Sequence, residues 1–180
     1  MGRASTLALF PGTFDPITNG HLDVIRRGQT LFSPLTVAVG LNPEKPQLFT
    51  MAERREIIQE LVEDLGEDVR VDTYEGLTVD YARRIGATVI LRGLRNVTDL
   101  NFEFQLALTN RAIADIETVF IMTAERYGFT SSTLIKQIAS AGDIDALHLL
   151  LPPPVVERLR KLKAKSGGRI PWHTVDGFKE

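Results

Sequence analysis

Short runs of apolar and β-branched residues alternate along this chain with segments whose apolar positions recur at helical spacing. The runs predict five strands, at residues 6–10, 35–40, 69–73, 88–91 and 118–122. The segments between them predict helices near residues 20–32, 51–65, 78–85 and 99–114. Strands that alternate with helices in this order form a parallel sheet with helices on both faces. The pattern therefore predicts an α/β fold, a Rossmann-like doubly wound five-stranded parallel sheet.

The C-terminal part of the chain predicts helices only, near residues 132–141, 144–149 and 154–165. Residues 166–180 begin with Ser-Gly-Gly and show no apolar period, which predicts a tail that lies on the surface or docks locally. We therefore expect one domain over residues 1–165 and a C-terminal tail over residues 166–180. Two local signals fix helix ends: Thr50 and Glu53 predict a capping box, and Gly86 predicts a left-handed helix stop.

Composition narrows the classes of function. The chain has 180 residues and a net charge of −2, which gives no electrostatic basis for binding nucleic acid. It has no cysteine, which excludes disulfides, thiolate metal sites and thiol nucleophiles. No apolar run approaches the roughly 20 residues of a membrane span, and no signal peptide is recognisable. We therefore expect a cytoplasmic protein that binds neither nucleic acid nor a membrane.

The first loop with unusual chemistry is Phe-Pro-Gly-Thr-Phe-Asp-Pro-Ile-Thr-Asn-Gly-His at residues 10–21. It links the first predicted strand to the first predicted helix, where backbone amides can face an anion. Gly12 allows close approach of the backbone to a ligand, and His21 can donate to a developing negative charge. The simpler interpretation is a tight strand-to-helix turn with a surface histidine.

Two further loops carry groups that suit phosphates. Arg92-Gly93-Leu94-Arg95 follows the fourth predicted strand, and guanidinium forks bind phosphate bidentately. A run of hydroxyls, residues 127–133, follows the fifth strand, and Ser131 or Ser132 can cap the next helix. Taken singly, the arginines are equally consistent with surface salt bridges and the serines with a plain helix cap. All three loops lie at the carboxyl ends of parallel strands, where such sheets bind ligands.

These motifs resemble those of the nucleotidyltransferase superfamily. Thr18-x-Gly20-His21 matches its T/H-x-G-H signature, and the longer string P-G-T-F-D-P-I-T-N-G-H resembles the phosphopantetheine adenylyltransferase family. The segment R-G-L-R-x-x-x-D-x-x-x-E-x-Q, starting at Arg92, resembles the same family closely. The run Thr130-Ser131-Ser132-Thr133-Leu134-Ile135-Lys136 is similar to its I-S-S-x-x-[VIL]-[RK] signature, with Thr130 in place of the usual Ile. The resemblance covers about residues 5–160.

The resemblance implies transfer of an adenylyl group from ATP to 4′-phosphopantetheine. It implies that His21, Thr13, Lys45 and Arg92 carry the catalysis. The residues that it assigns to ATP are Thr13, Phe14, His21, Gly93, Leu94, Arg95, Glu103, Tyr127, Gly128, Phe129, Thr130, Ser131, Ser132 and Thr133. Those that it assigns to the pantetheine substrate are Thr13, Lys45, Leu77, Thr78, Arg92 and Asn110.

The resemblance also implies a homohexamer and feedback inhibition by coenzyme A. The sequence shows no dedicated metal cage, so Mg²⁺ is expected to arrive with ATP and to keep mostly water and phosphate ligands. Asp15, the only carboxylate of the first loop, is expected to cap that loop beside Pro16.

Two alternatives remain open at this stage. A nicotinate-nucleotide adenylyltransferase has a similar first loop but lacks the R-G-L-R-x-x-x-D segment. A catalytically silent member would bind nucleotide and regulate a partner, although intact His21, Lys45, Arg92 and Arg95 argue against that. No basic arm that would serve DNA regulation is present.

Overall fold

A computed structural model describes residues 6–41, 47–168 and 170. Its sheet has five parallel strands: β1 (Ala8–Gly12), β2 (Leu35–Gly40), β3 (Val69–Tyr74), β4 (Val89–Leu94) and β5 (Glu117–Met122). Their order across the sheet is β3-β2-β1-β4-β5. The predicted doubly wound parallel sheet is confirmed.

Six α-helices connect and follow the strands: α1 (Asn19–Leu31), α2 (Met51–Val62), α3 (Thr78–Ile85), α4 (Val97–Ala114), α5 (Ser132–Ala141) and α6 (Pro153–Lys165). Short 3₁₀ turns span Glu63–Leu65, Glu125–Tyr127 and Ile144–Leu149. The predicted helix over 144–149 is therefore a 3₁₀ turn, and the last three residues of the predicted helix 51–65 are another. Within the described ranges, no helix is long and apolar enough to cross a bilayer.

The core lies on both faces of the sheet, because successive side chains of a strand point to opposite sides. In β1, Ala8 and Phe10 pack in the larger cluster with α1, α2, α5 and α6. Leu9, between them, packs in a smaller cluster with α3 and the end of α4. Ile170 is 1% exposed and belongs to the larger cluster. The Ser140 hydroxyl donates to the Ile170 carbonyl over 3.1 Å, so the chain beyond α6 returns to the core at this residue.

The local end signals act as predicted. Thr50 accepts from the Glu53 amide and Glu53 reaches back to the Thr50 amide, which completes the capping box of α2. Gly86 ends α3 with φ 74° and ψ 23°, the left-handed conformation that glycine adopts without strain.

The bounds of two strands were predicted wrongly. β1 begins at Ala8 rather than residue 6 and runs on through Gly12, and β4 continues past residue 91 to Leu94. Arg92 and Gly93 are thus paired strand residues, in register with Phe120 and Ile121, and not a loop. Helix α4 likewise begins earlier than predicted, at Val97, because Asn96 caps it by accepting from the Asp99 amide.

Candidate active site

A cavity of about 490 Å³ opens beyond the carboxyl ends of β1 and β4. This is the switch point of the sheet, since β1 lies between β2 and β4 and the chain builds outward from it in both directions. Most of the residues implicated by the three motifs line it: Thr13, Phe14, His21, Arg92, Gly93, Arg95, Glu103, Tyr127, Thr130, Ser131, Ser132 and Thr133. Three segments that are distant in sequence therefore meet in one place.

His21 is held at the start of α1 by its own helix cap. The Thr18 side chain accepts from the His21 amide over 3.3 Å, and the Thr18 amide donates to Nδ1 of His21 over 3.0 Å. A capping box therefore fixes the ring, with histidine in the position that Glu or Gln usually takes. Because Nδ1 accepts, the neutral ring carries its proton on Nε2.

The electrostatic surroundings keep His21 neutral. Burial, together with the positive charges of Arg95 and Arg92, lowers the pKa of His21 from 6.5 to about 4. The imidazole is then a hydrogen-bond donor without a net charge at neutral pH. The ring of Phe14 packs edge-on against it, with centroids 5.2 Å apart and an interplanar angle of 83°.

Arg92 projects from β4 and is clamped by Glu103 of α4. Its Nε donates to Glu103 over 2.7 Å, its Nη2 donates to the other carboxylate oxygen, and its Nη1 donates to the Pro11 carbonyl over 2.9 Å. An arginine has five N–H groups, so one N–H on each terminal nitrogen is left to bind a ligand. The pair fixes the direction of a guanidinium that is part-exposed to the cavity.

Arg95, between β4 and α4, is held in a similar way by Asp99, which lies one turn before Glu103 on α4. Its Nε and Nη2 donate to the two oxygens of Asp99 over 2.8 and 2.9 Å, and its Nη1 donates to the Thr130 carbonyl over 2.8 Å. The bond to Thr130 thus connects the end of β4 to the segment before α5. The sequence motifs assigned no role to Asp99, although a carboxylate four residues after an arginine is a common spacing for an ion pair.

The N-terminus of α5 forms another wall of the cavity. Ser131 is its cap and accepts from the Leu134 amide over 3.1 Å, while the Ser132 hydroxyl donates to the Pro16 carbonyl over 3.1 Å. Thr130 is 3% exposed, and its hydroxyl makes no hydrogen bond to any described residue. Burial of this position agrees with the isoleucine that the signature usually has there.

The two glycines of the motifs accommodate side chains of the protein itself. A Cβ on Gly12 would lie 2.8 Å from the Phe14 ring, and one on Gly93 would lie 2.9 Å from Val24. The space at Gly12 is therefore filled by Phe14, and Gly93 allows α1 to pack on β4. Both glycines also line the cavity, so the close approach of a ligand at Gly12 stays a prediction. Gly93 was predicted to keep a loop open and instead lies in β4.

Several predicted site residues lie away from the cavity wall. Leu94 is buried in β4, where its carbonyl accepts from Thr123, and Gly128 ends a 3₁₀ turn beside an exposed Phe129. Leu77 is exposed at the start of α3, and the Thr78 hydroxyl bonds to that of Tyr74. Asn110 lies far along α4. Lys45 falls outside the described residues.

The chain matches the cytidylyltransferase-like family over residues 9–138. It is 45% identical over 161 residues to a phosphopantetheine adenylyltransferase from Caldanaerobacter subterraneus subsp. tengcongensis, covering 89% of this chain and 99% of the relative. A second protein of that name, from Syntrophus aciditrophicus, is 53% identical over 137 residues, covering 76% and 82% of the two chains.

Solved structures of more distant proteins share the fold. The nicotinic acid mononucleotide adenylyltransferase of Plasmodium falciparum superposes with a TM-score of 0.66 at 15% identity, over 91% of this chain and 98% of that chain. At this identity the likeness shows the architecture alone.

Proposed function

The chain belongs to the phosphopantetheine adenylyltransferase family, and from this membership we propose how its site transfers the adenylyl group of ATP to 4′-phosphopantetheine. An oxygen of the acceptor phosphate attacks the α-phosphorus of ATP. The bond from that phosphorus to the α,β-bridging oxygen breaks, and pyrophosphate leaves with the electron pair. The products are dephospho-coenzyme A and pyrophosphate. One observation carries the assignment to this cavity: His21, Arg92 and Arg95 converge at the β1/β4 switch point beside the N-terminus of α5.

The acceptor phosphate is already anionic at neutral pH, so the reaction needs no general base. The neutral His21 donates from Nε2 to an α-phosphate oxygen, where charge grows as the new bond forms. Its low pKa suits this role, since a neutral donor neither takes up nor gives up a proton during the reaction. Thr13, on the same wall of the cavity, is the second residue that we assign to the α-phosphate.

Arg92 and Arg95, which Glu103 and Asp99 hold in place, bind different phosphates. Arg92 presents two N–H groups to the acceptor phosphate, with Lys45 as the proposed second cation. Arg95 and the capped N-terminus of α5, with Ser131 and Ser132, receive the β- and γ-phosphates. Catalysis is then positioning plus charge stabilisation, as in phosphoryl transfer generally.

We propose that Mg²⁺ enters with ATP. Within the described ranges no group of three or more metal-ligating side chains is present. The cavity carboxylates of Asp99 and Glu103 are engaged by Arg95 and Arg92. The donor set therefore fits an ion that keeps phosphate and water ligands, as Mg²⁺ commonly does. Such an ion would offset charge on the leaving pyrophosphate.

Self-association is supported by helix α4. Large apolar side chains are exposed along it: Leu100, Phe102, Phe104, Leu106, Leu108 and Ile113. Only Ala114 of this helix is buried in the single chain. Exposed apolar surface of this extent is typical of protein interfaces, so we propose that copies of the chain associate through α4, as the homohexamer implied by the resemblance.

Two further properties are proposed from the chemistry. Coenzyme A contains both the pantetheine arm and the adenosine of the product, so it should compete for the same cavity as a feedback inhibitor. We also propose a cytoplasmic location, since ATP, which the reaction consumes, is available there.

The assay for this function is pyrophosphate release with ATP and Mg²⁺ and one of three acceptor conditions: phosphopantetheine, nicotinate mononucleotide or none. Turnover should require phosphopantetheine and prefer ATP to CTP. Comparable rates with nicotinate mononucleotide would refute the proposal in favour of the related adenylyltransferases. Nucleotide binding without turnover on any acceptor would favour a silent regulatory member.

A further inference from the structure

Arg54 is a fully buried arginine that no motif singles out. It lies in the first turn of α2 and is 1% exposed. Its Nη1 donates to the Thr13 carbonyl over 2.7 Å and its Nη2 donates to Oε1 of Gln47 over 2.9 Å. Its Nε is 3.4 Å from the Thr50 carbonyl. Each of the three guanidinium nitrogens thus bonds a different residue, and one of these residues lies in the wall of the cavity.

Asp15, two residues after Thr13, is buried and paired as well. It is 2% exposed, and its carboxylate accepts from the amides of Leu48 and Phe49 over 2.9 and 3.0 Å. Lys136 of α5 forms an ion pair with it at 2.6 Å. Asp15 therefore does not cap its own loop, as the sequence suggested, but joins that loop to the 47–50 segment and to α5.

Phe14 lies between these two anchors in a strained backbone conformation. Its φ is 46°, in the left-handed region that non-glycine residues rarely occupy. Such conformations persist where surrounding contacts over-determine them, and they concentrate at functional sites. Here the hydrogen bond to Thr13 on one side and the contacts of Asp15 on the other supply that constraint, and the result is the edge-on contact of Phe14 with His21.

We propose that Arg54 is a positioning residue for adenylyl transfer, which holds Thr13 and, through the strained Phe14, the His21 ring at the α-phosphate. The inference rests on the proposed function. Arg54 does not line the cavity, so it acts through Thr13 rather than on a substrate. Its role concerns the transition state, because a small displacement of groups around the reacting phosphorus costs rate more than it costs binding.

The variants that test this are Arg54→Met, which removes all three hydrogen bonds, and Arg54→Lys, whose single amine can reach only part of the set. The matched control is Tyr81→Phe. It removes a part-buried hydrogen bond of 2.6 Å to Asp72, and Tyr81 belongs to the smaller core cluster and does not line the cavity. The kcat, the KM for each substrate and the unfolding midpoint are measured for all four proteins, with kinetics below the onset of unfolding.

We expect Arg54→Met to lower kcat at least about tenfold while both KM values stay within about threefold, with partial recovery of kcat in Arg54→Lys. Tyr81→Phe should lose stability and keep kcat. Unchanged kcat in both Arg54 variants would overturn the proposal, as would a loss of kcat in Tyr81→Phe that matches theirs. If Arg54→Met does not fold, a wild-type kcat in Arg54→Lys overturns it alone. Absence of activity in the wild type would instead contradict the proposed function.

Discussion

The backbone amide of Thr18 donates to Nδ1 of His21 over 3.0 Å. An amide nitrogen can only donate here, so Nδ1 must be unprotonated and the proton of the neutral ring lies on Nε2. The helix cap therefore determines the tautomer of the ring. Burial, together with Arg95 and Arg92, keeps the ring neutral by lowering its pKa to about 4. The proposed mechanism uses these two facts, because a neutral ring with its proton on Nε2 is an uncharged hydrogen-bond donor.

The lowered pKa of His21 should make the folded protein sensitive to acid. Between pH 6.5 and about 4, the unfolded chain binds a proton at His21 that the folded protein does not. Stability therefore rises with pH across this window and is lost as the pH falls. Urea unfolding at about pH 7 and about pH 5 should show a larger loss for the wild type than for His21→Phe, which has no such proton to bind. Equal losses in the two proteins would contradict the lowered pKa.

Arg92→Ala should mainly raise the KM for the acceptor, because we propose that the remaining N–H groups of Arg92 face the acceptor phosphate in both the ground and the transition state. Arg92→Lys should not restore it fully, since an ammonium cannot reproduce the fork that Glu103 orients. Steady-state kinetics with each substrate varied will measure this. Arg111→Ala, which breaks an exposed ion pair between α4 and Glu117 of β5, is the control and should change neither KM. Weakened ATP binding with intact acceptor binding would reverse the assignment of Arg92.

Asp99→Asn should weaken ATP binding, because Arg95 loses the ion pair that holds its guanidinium in place. The expected result is a rise of about threefold to tenfold in the KM for ATP, because one charge-assisted bidentate pair is lost, with the acceptor KM unchanged. Combining it with Arg95→Ala should add little to the effect of Arg95→Ala alone, since the two residues act as a unit. Fully additive losses would show that Asp99 acts independently of Arg95. Glu117→Gln, which breaks an exposed ion pair between the start of β5 and Arg111 of α4, is the matched control.

Removal of the C-terminal segment should separate stability from activity. A chain that ends at residue 165 loses the buried Ile170 and should be destabilised by about 2 kcal/mol or more, as for truncation of a buried isoleucine. Its kcat/KM should stay within about threefold, because the sequence of residues 166–180 carries no motif. A chain that ends at Ile170 is the control and should match the wild type in thermal unfolding. Loss of activity without loss of folding would show that the tail closes over a site.

Local sequence signals determined more of the fold than of the site. The capping box of Thr50 and Glu53 and the left-handed Gly86 depend on neighbouring residues, and both were predicted. The sequence predicted the end of β4 too early, because an arginine next to a glycine is typical of a loop. In the structure, pairing with β5 holds Arg92 and Gly93 in the sheet. Pairing between strands depends on residues far apart in sequence, which local patterns do not record.

The supporting groups of the site were the hardest to predict. Arg54 resembles any polar residue of an amphipathic helix, and nothing near it in sequence indicates that Thr13, 41 residues earlier, accepts its hydrogen bond. Lys136 was recognised only as a motif position, and its ion pair with Asp15 joins α5 to the first loop. The motif residues themselves could be placed because they sit at strand ends, which parallel topology brings together.

In the proposed mechanism, a neutral His21 stabilises charge on the α-phosphate only as the new bond forms. The most direct measurement compares kcat and ATP affinity in the wild type and in His21→Ala. We expect kcat to fall by at least about 10²–10³, the loss typical of one such donor. The dissociation constant for ATP should stay within about threefold, since the ground state carries less of that charge. A near-normal kcat, or a loss confined to ATP affinity, would make His21 a binding or structural residue and contradict the mechanism.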